Sequence, residues 1–133
     1  MNQKDEFILL GVVSSEPDYK LSLSINKKFR ISLKNTVPVK TGEGTDKALS
    51  FSRFSDTGRT PGIVFNLFSN RSEKNFLLKK LNNVDYIFQV YDPENESNID
   101  QMVASLRDIE SVSAVFKIDL NTFRDKNLHY LIQ

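Results

Sequence analysis

Asp85, Arg53 and Tyr86 are the side chains here that could do chemistry together. Asp85 could face a ligand or act as a base, which requires partners and a pocket. An enzyme built on Asp, Arg and Tyr alone is one reading of the set. The competing reading is structural: buried charges persist when they are paired, and Arg53 is the natural partner for Asp85. We therefore expect Arg53 and Asp85 to form a bidentate guanidinium–carboxylate pair across two strands. Phe51 and Phe54 suggest another chemistry, because aromatics and arginine on sheet strands stack unpaired bases. The Phe51-Ser52-Arg53-Phe54 segment lacks the glycine-aromatic pattern of the RNA-binding strand motif. Its two phenylalanines also point to opposite faces of a strand, so at most one could join Arg53 in a stacking platform.

Other chemistries are excluded by composition. The chain has no cysteine and a single histidine, His129. Disulfides, thiolate zinc sites, cysteine nucleophiles and a multi-histidine metal site within one chain are thereby ruled out. No glycine-flanked nucleophile elbow stands near a base. Gly42-x-Gly44 and Gly58 to Gly62 carry no phosphate-loop fingerprint and read as turns. No cofactor or metal is expected. Eighteen basic and seventeen acidic residues leave a net charge of +1, which gives no footprint for nucleic acid or an anionic membrane. Arg71, Lys74, Lys79 and Lys80 form a basic patch in sequence, set against Asp92, Glu94, Glu96 and Asp100. We read both as solvated faces.

The elements that must position these residues are organised around Asn75–Asp92. Val84, Tyr86, Phe88 and Val90 share one face of an extended chain, and Asp85, Ile87, Gln89 and Tyr91 the other. Both faces are largely apolar or aromatic, so this is a central strand covered on both sides. Phe7 to Val13 is a buried strand. Ser15 with Asp18 makes a capping-box start for a helix over 16–27. Phe29 to Leu33 alternates as a strand, residues 36–47 form a loop, and Leu49 to Phe54 is extended again. Ile63 to Phe68 completes a hairpin across the turn formers Thr57 to Gly62. Ser97 to Ile109 has the best apolar stripe, with Ser97 and Asp100 as its capping pair. Val112, Ala114, Phe116 and Ile118 alternate as a closing strand, and Leu128 to Ile132 folds back onto the body.

Several of these pieces resemble a bacterial family named for the signature IPExxxVDY. They are Val12 to Leu21 (VVSSEPDYKL), Phe51 to Phe54 (FSRF), Val84-Asp85-Tyr86, and Ala114 to Asp119 (AVFKID). The similarity runs in order over nearly the whole chain. At the name-giving IPE this chain reads Leu78-Lys79-Lys80, so no role passes to a glutamate there. The resemblance implies the fold boundaries and brings no activity.

A chain of 133 residues fits one domain, burying roughly two-thirds of the surface its unfolded form exposes. The expected architecture is α+β: one mostly antiparallel sheet with two helices packed on one face, resembling a split βαβ arrangement with an inserted hairpin. The charged start at Asp5 and Glu6 and the short first apolar run do not fit a signal peptide or a membrane span, so a cytoplasmic protein is expected. The functional expectation is a non-catalytic module that self-associates or binds another protein. The alternative is single-stranded nucleic-acid binding through the Phe51–Phe54 strand, which the near-neutral charge disfavours.

Overall fold

A computed structural model of the chain describes residues 3–58 and 61–132, so Arg59 and Thr60 of the expected turn lie outside the described residues. The apolar run near the start forms β1 (Phe7–Ser14), which turns Leu10 and Val12 to one face and Leu9 to the other. The first helix, α1 (Asp18–Phe29), starts without the expected capping box. Pro17 is its N-cap with no side-chain cap, and the Pro17 carbonyl accepts the amides of Lys20 and Leu21. Asp18 instead accepts from its neighbour Tyr19. α1 stops at Arg30, which takes a left-handed φ of 57° while its amide and that of Ile31 close on the Asn26 carbonyl.

Residues 29–33 are not the strand that their alternation suggests. Ile31 and Leu33 do turn into the core, but their backbone is satisfied by side chains rather than by a neighbouring strand. The Asn26 amide both accepts from the Leu33 N–H at 2.7 Å and donates to the Leu33 carbonyl at 3.1 Å. The Ser32 N–H donates to Asp56. The pairing begins only at β2 (Lys34–Asn35). Within the expected loop lies β3 (Val39–Thr41), paired with β4 (Leu49–Phe51). Gly42 opens their turn at φ +65°, where a Cβ would sit 2.7 Å from the Lys47 carbonyl oxygen. The expected strand over 49–54 is therefore split at Ser52, and β5 (Arg53–Asp56) enters the main sheet.

The chain then runs through β6 (Val64–Ser69), β7 (Arg71–Ser72), β8 (Asn75–Phe76), β9 (Tyr86–Tyr91), α2 (Ile99–Arg107) and β10 (Val112–Ile118). The main sheet has six strands in the order β10-β1-β9-β6-β5-β2, with every neighbouring pair antiparallel. Since β1 and β6 both oppose β9, they run parallel to each other with β9 between them. By the same reasoning β9 and β10 are parallel and flank β1. Two such split βαβ units interlock here, which is the ferredoxin-like arrangement. Residues from β2 to β5 are an insertion between α1 and β6. The fold is α+β as expected.

One sheet face packs on the helices: Leu21 and Ile25 of α1 and Val103 and Leu106 of α2 meet Leu10, Val12, Leu67, Phe88 and Val90. Phe88 is central, its ring 5.4 Å from Phe29 and 6.0 Å from Phe65. α2 is capped by Asn98 rather than Ser97, with the Asn98 side chain accepting from the Gln101 N–H. The second face is covered by chain with little regular structure, through Phe51, Leu77, Leu78, Leu120, Leu128 and Leu131. Val84 joins this second layer rather than sharing the face of Tyr86, because β9 begins only at Tyr86.

Val84 packs directly over β1. A Cβ at Gly11 would lie 2.9 Å from the Val84 Cγ1. Val84 is fully buried and branched, so it has little freedom to withdraw. Gly11→Ala should destabilise the protein by about 1–3 kcal/mol as an overpacked core site. Urea denaturation checks this, and a neutral or stabilising result would mean that Val84 can move aside.

Asp92 organises the turn from β9 into α2. Its buried carboxylate accepts from the Glu96 N–H at 3.1 Å and the Ser97 N–H at 2.6 Å. Burial alone would raise its pKa, but hydrogen bonds from Ser97, Glu96 and Asn95 outweigh that and hold it below the ordinary carboxylate value. A depressed folded pKa adds stability that is present above the unfolded value of about 3.9 and is lost as pH falls through the folded one. The stability gap between the protein and Asp92→Asn should therefore stay constant from about pH 8 to 5 and shrink below about pH 4. A gap independent of pH down to acid unfolding would assign Asp92 no such role.

Candidate functional site

The Arg53–Asp85 pair expected from the sequence does not form. Asp85 instead meets Arg71, whose Nε donates to Asp85 Oδ1 at 2.6 Å, while Asp85 Oδ2 accepts from the Ser14 N–H at 2.9 Å. The cause is register. β6 and β9 stay paired to Ser69↔Tyr86, and the Asn70 N–H then donates to the Asp85 carbonyl. That leaves Arg71 beside Asp85. Arg53 lies on β5, with β6 between it and β9, and is registered with Phe68. The Arg71 guanidinium also covers the Phe76 ring, 4.9 Å from its centroid.

Phe51 and Phe54 are both core residues, 1% and 6% exposed, one in each layer. They lie on opposite faces as their spacing implies, and neither offers a ring to a base. Tyr86 is buried with its hydroxyl donating to the Glu16 carbonyl at 2.5 Å. Burial, and then the charges of Asp18, Asp85 and Glu16, push its pKa up to about 12. Tyr86 faces the helices and Arg53 the opposite side of the sheet, so Asp85, Arg53 and Tyr86 do not converge on one point.

Arg53 belongs to a different constellation. Across the second sheet face, Ser55, Asn66 and Gln89 are register partners on β5, β6 and β9. Asn66 and Gln89 are buried and linked in one direction. The Arg53 Nε donates to Asn66 Oδ1 at 3.0 Å, and the Ser55 hydroxyl donates to the same oxygen. Asn66 Nδ2 donates to Gln89 Oε1 at 2.8 Å, and Gln89 Nε2 donates to the Leu131 carbonyl. Each amide is thus held in one orientation by its neighbours. The ladder runs from the sheet to the chain segment that crosses over it.

Beside this ladder is a cavity of about 320 Å³. Arg53, Asn66 and Gln89 supply its polar wall. Phe7, Phe68, Tyr91 and Tyr130 supply aromatic surface, with Val64 and Leu131 completing it. The Arg53 guanidinium carbon sits 5.8 Å from the Phe68 ring centroid. Partial desolvation, and then the Glu6 charge and its hydrogen bond, raise the Tyr91 phenol above its ordinary value. A pocket of this size with a few convergent polar groups in an apolar wall has the composition of a small-molecule site.

Sequence reasoning singled out Arg53 and missed Asn66, Gln89, Tyr91 and Tyr130 as its companions. A signal was present: Asn66 interrupts VFNLFS and Gln89 interrupts YIFQVY, and a polar side chain amid buried strand residues needs a partner. Among the described residues, no cluster of three His, Cys, Asp or Glu could hold a metal ion, and no helix is long and apolar enough to cross a membrane. No family model matches this chain, and neither does any curated protein or solved structure.

The two arginines make opposite predictions in double-mutant cycles. Arg71→Met with Asp85→Asn should give a coupling of up to about 1 kcal/mol, because the Arg71 side chain is 48% exposed and Asp85 21%. Arg53→Met with Asp85→Asn should be additive within about 0.5 kcal/mol. Coupling in the second cycle and none in the first would make Arg53 the partner of Asp85.

Proposed function

We propose that the protein is a non-catalytic cytoplasmic module that acts by association, and that its partner is a second copy docked along β10. The observation that carries this reading is the open sheet edge. β10 is the outermost strand and runs for seven residues, whereas the opposite edge, β2, has only two, including Lys34. Short, charged edges resist strand addition, and long ones invite it. Phe116 stands 44% exposed on β10. A groove runs between this edge and α2, lined by Asp100, Ala104 and Arg107 on one side and Val115, Phe116 and Lys117 on the other.

The groove is self-complementary in charge, which favours a second copy over an unrelated strand. A two-fold axis would pair β10 with itself antiparallel and set the two α2 helices antiparallel beside each other. Asp100 at the start of α2 would then approach the partner subunit's Arg107 at its end, with the small Ala104 between them. In the single chain these charges have local contacts: Lys117 Nζ meets Asp100 at 2.5 Å, and Arg107 Nη2 donates to the Val115 carbonyl at 3.2 Å. Both lie at the surface and can be exchanged for contacts across the axis. Kinship with the IPExxxVDY family is part of this proposal, and the matching pieces fall on β1–α1, β4–β5, the start of β9, and β10.

Light scattering should give twice the 15.3 kDa chain mass at about 100 µM, where even a micromolar interface is occupied. Phe116→Lys and Ala104→Arg should each return the single-chain mass while changing stability by no more than about 0.5 kcal/mol, as surface substitutions. A single-chain mass for the unaltered protein, or a dimer indifferent to both substitutions, overturns the reading.

A further inference from the structure

We propose that the Arg53 cavity binds a small organic anion, a carboxylate or phosphate monoester carried on a flat apolar body. This rests on the pocket alone and is independent of the β10 edge. Arg53 is the first reason. Among the described residues it makes no ion pair, and its one hydrogen bond uses Nε. The terminal amino groups of the guanidinium remain, and they are the ends that grip a carboxylate or phosphate.

The second reason is that the cation is held in place before any ligand arrives. Asn66 Oδ1 fixes its Nε, and Asn66 is itself fixed through Gln89 to the Leu131 carbonyl. The Phe68 ring lies against the guanidinium carbon. Positioning by locked neighbours lowers the ordering cost that binding would otherwise carry. A buried amide chain of this kind is more than is needed to keep a surface arginine in solution.

The third reason is the remaining wall. Tyr91, Tyr130 and Val64 offer rings and a branched apolar side chain opposite the charge. Flat apolar groups fit such surfaces, and about 320 Å³ accommodates them. At about 30 Å³ for each non-hydrogen atom, water's share of liquid volume, that is room for roughly ten such atoms. Glu6 is not part of the lining, though its charge acts on the Tyr91 phenol. The cavity therefore selects for a single anionic head and a ring-sized body.

The test is an NMR titration of the full chain with benzoate, phenyl phosphate and the neutral benzamide. Benzoate should bind with a Kd of about 1 mM or tighter, in range for so small a ligand, and should shift Phe7, Tyr91 and Tyr130. Benzamide should bind at least about tenfold more weakly, because it forfeits the charge-assisted contact. Arg53→Met should lose about the same factor, and Arg53→Lys should keep part of it, retaining charge without the fork. Tighter binding of phenyl phosphate than of benzoate supports the proposal and assigns the head group as a phosphate; the reverse order supports it as a carboxylate. If Arg53→Met fails to fold, the benzoate–benzamide difference in the unaltered protein decides. Equal affinities for those two, shifts confined to another region, or unchanged binding in a folded Arg53→Met protein would overturn it.

Discussion

Asn70 is wholly buried and devotes its side chain to the backbone of the segment that follows it. Its Nδ2 donates to the carbonyls of Leu81 at 2.8 Å and Val84 at 3.0 Å, and its Oδ1 accepts from the Leu78 N–H at 2.8 Å. Its own carbonyl accepts from the Leu77 N–H. Residues 77–84 can thereby lie across the sheet without being a strand or a long helix. Each of those groups, buried without a partner, would cost about 1–3 kcal/mol. The same device holds the rest of the second layer. Asn127 donates to the Leu77 carbonyl at 2.7 Å, Asp125 accepts from the Lys80 N–H, and Gln89 reaches Leu131. An irregular layer can cover a sheet only if side chains replace the missing ladder, and here they do.

That cover is what makes β9 central. With helices on one side and the irregular layer on the other, all of its residues but Tyr91 are buried. Gln89 cannot reach solvent, so it must be bonded within the protein, and Asn66 on the next strand faces the same demand. The row they form ends at Arg53, which needs no buried carboxylate because its outer end opens on a cavity. The placement of this cation thus follows from the coverage of the sheet. Had the second face been open, Asn66 and Gln89 could have bonded water, and nothing would have oriented the guanidinium.

Patterns that depend on one element's own periodicity were legible in the sequence. β1, β6, β10 and α2 all lie where their apolar spacing puts them, and Leu128 and Leu131 do return to the core. What was not legible depends on groups distant in the chain. Residues 31–33 alternate like a strand, but their amides go to Asn26 and Asp56, which no periodicity announces. The partner of Asp85 turned on one step of register beyond Ser69, since that step sets Arg71 rather than Arg53 beside it. Alternation places Val84 on the face of Tyr86, but β9 begins only at Tyr86, and Gly11 is the vacancy on β1 that lets Val84 turn the other way. The pocket is half visible in the sequence: Arg53 stands out, whereas alternation alone makes Gln89 an ordinary position on a strand face.

Closing both faces of the sheet leaves its edges as the remaining unpaired backbone. At the β2 edge the chain itself limits exposure, since only two residues pair there before the backbone moves off toward β3. The β10 edge has no such limit. α2 packs beside it but leaves a groove, which the Arg107 side chain crosses to donate to the Val115 carbonyl. A bulge between Val13 and Ser14 disturbs only the first residues of this pairing, so the strand from Ala114 to Ile118 stays in regular register with β1. Regular register presents outward groups at an even spacing that another strand can match. The cavity beside Arg53 takes its polar wall from β5, β6 and β9, with β1 between those strands and β10, and it lies on the sheet face away from α2. Occupying one site therefore need not disturb the other, and a chain joined along β10 would keep its Arg53 pocket open in each copy.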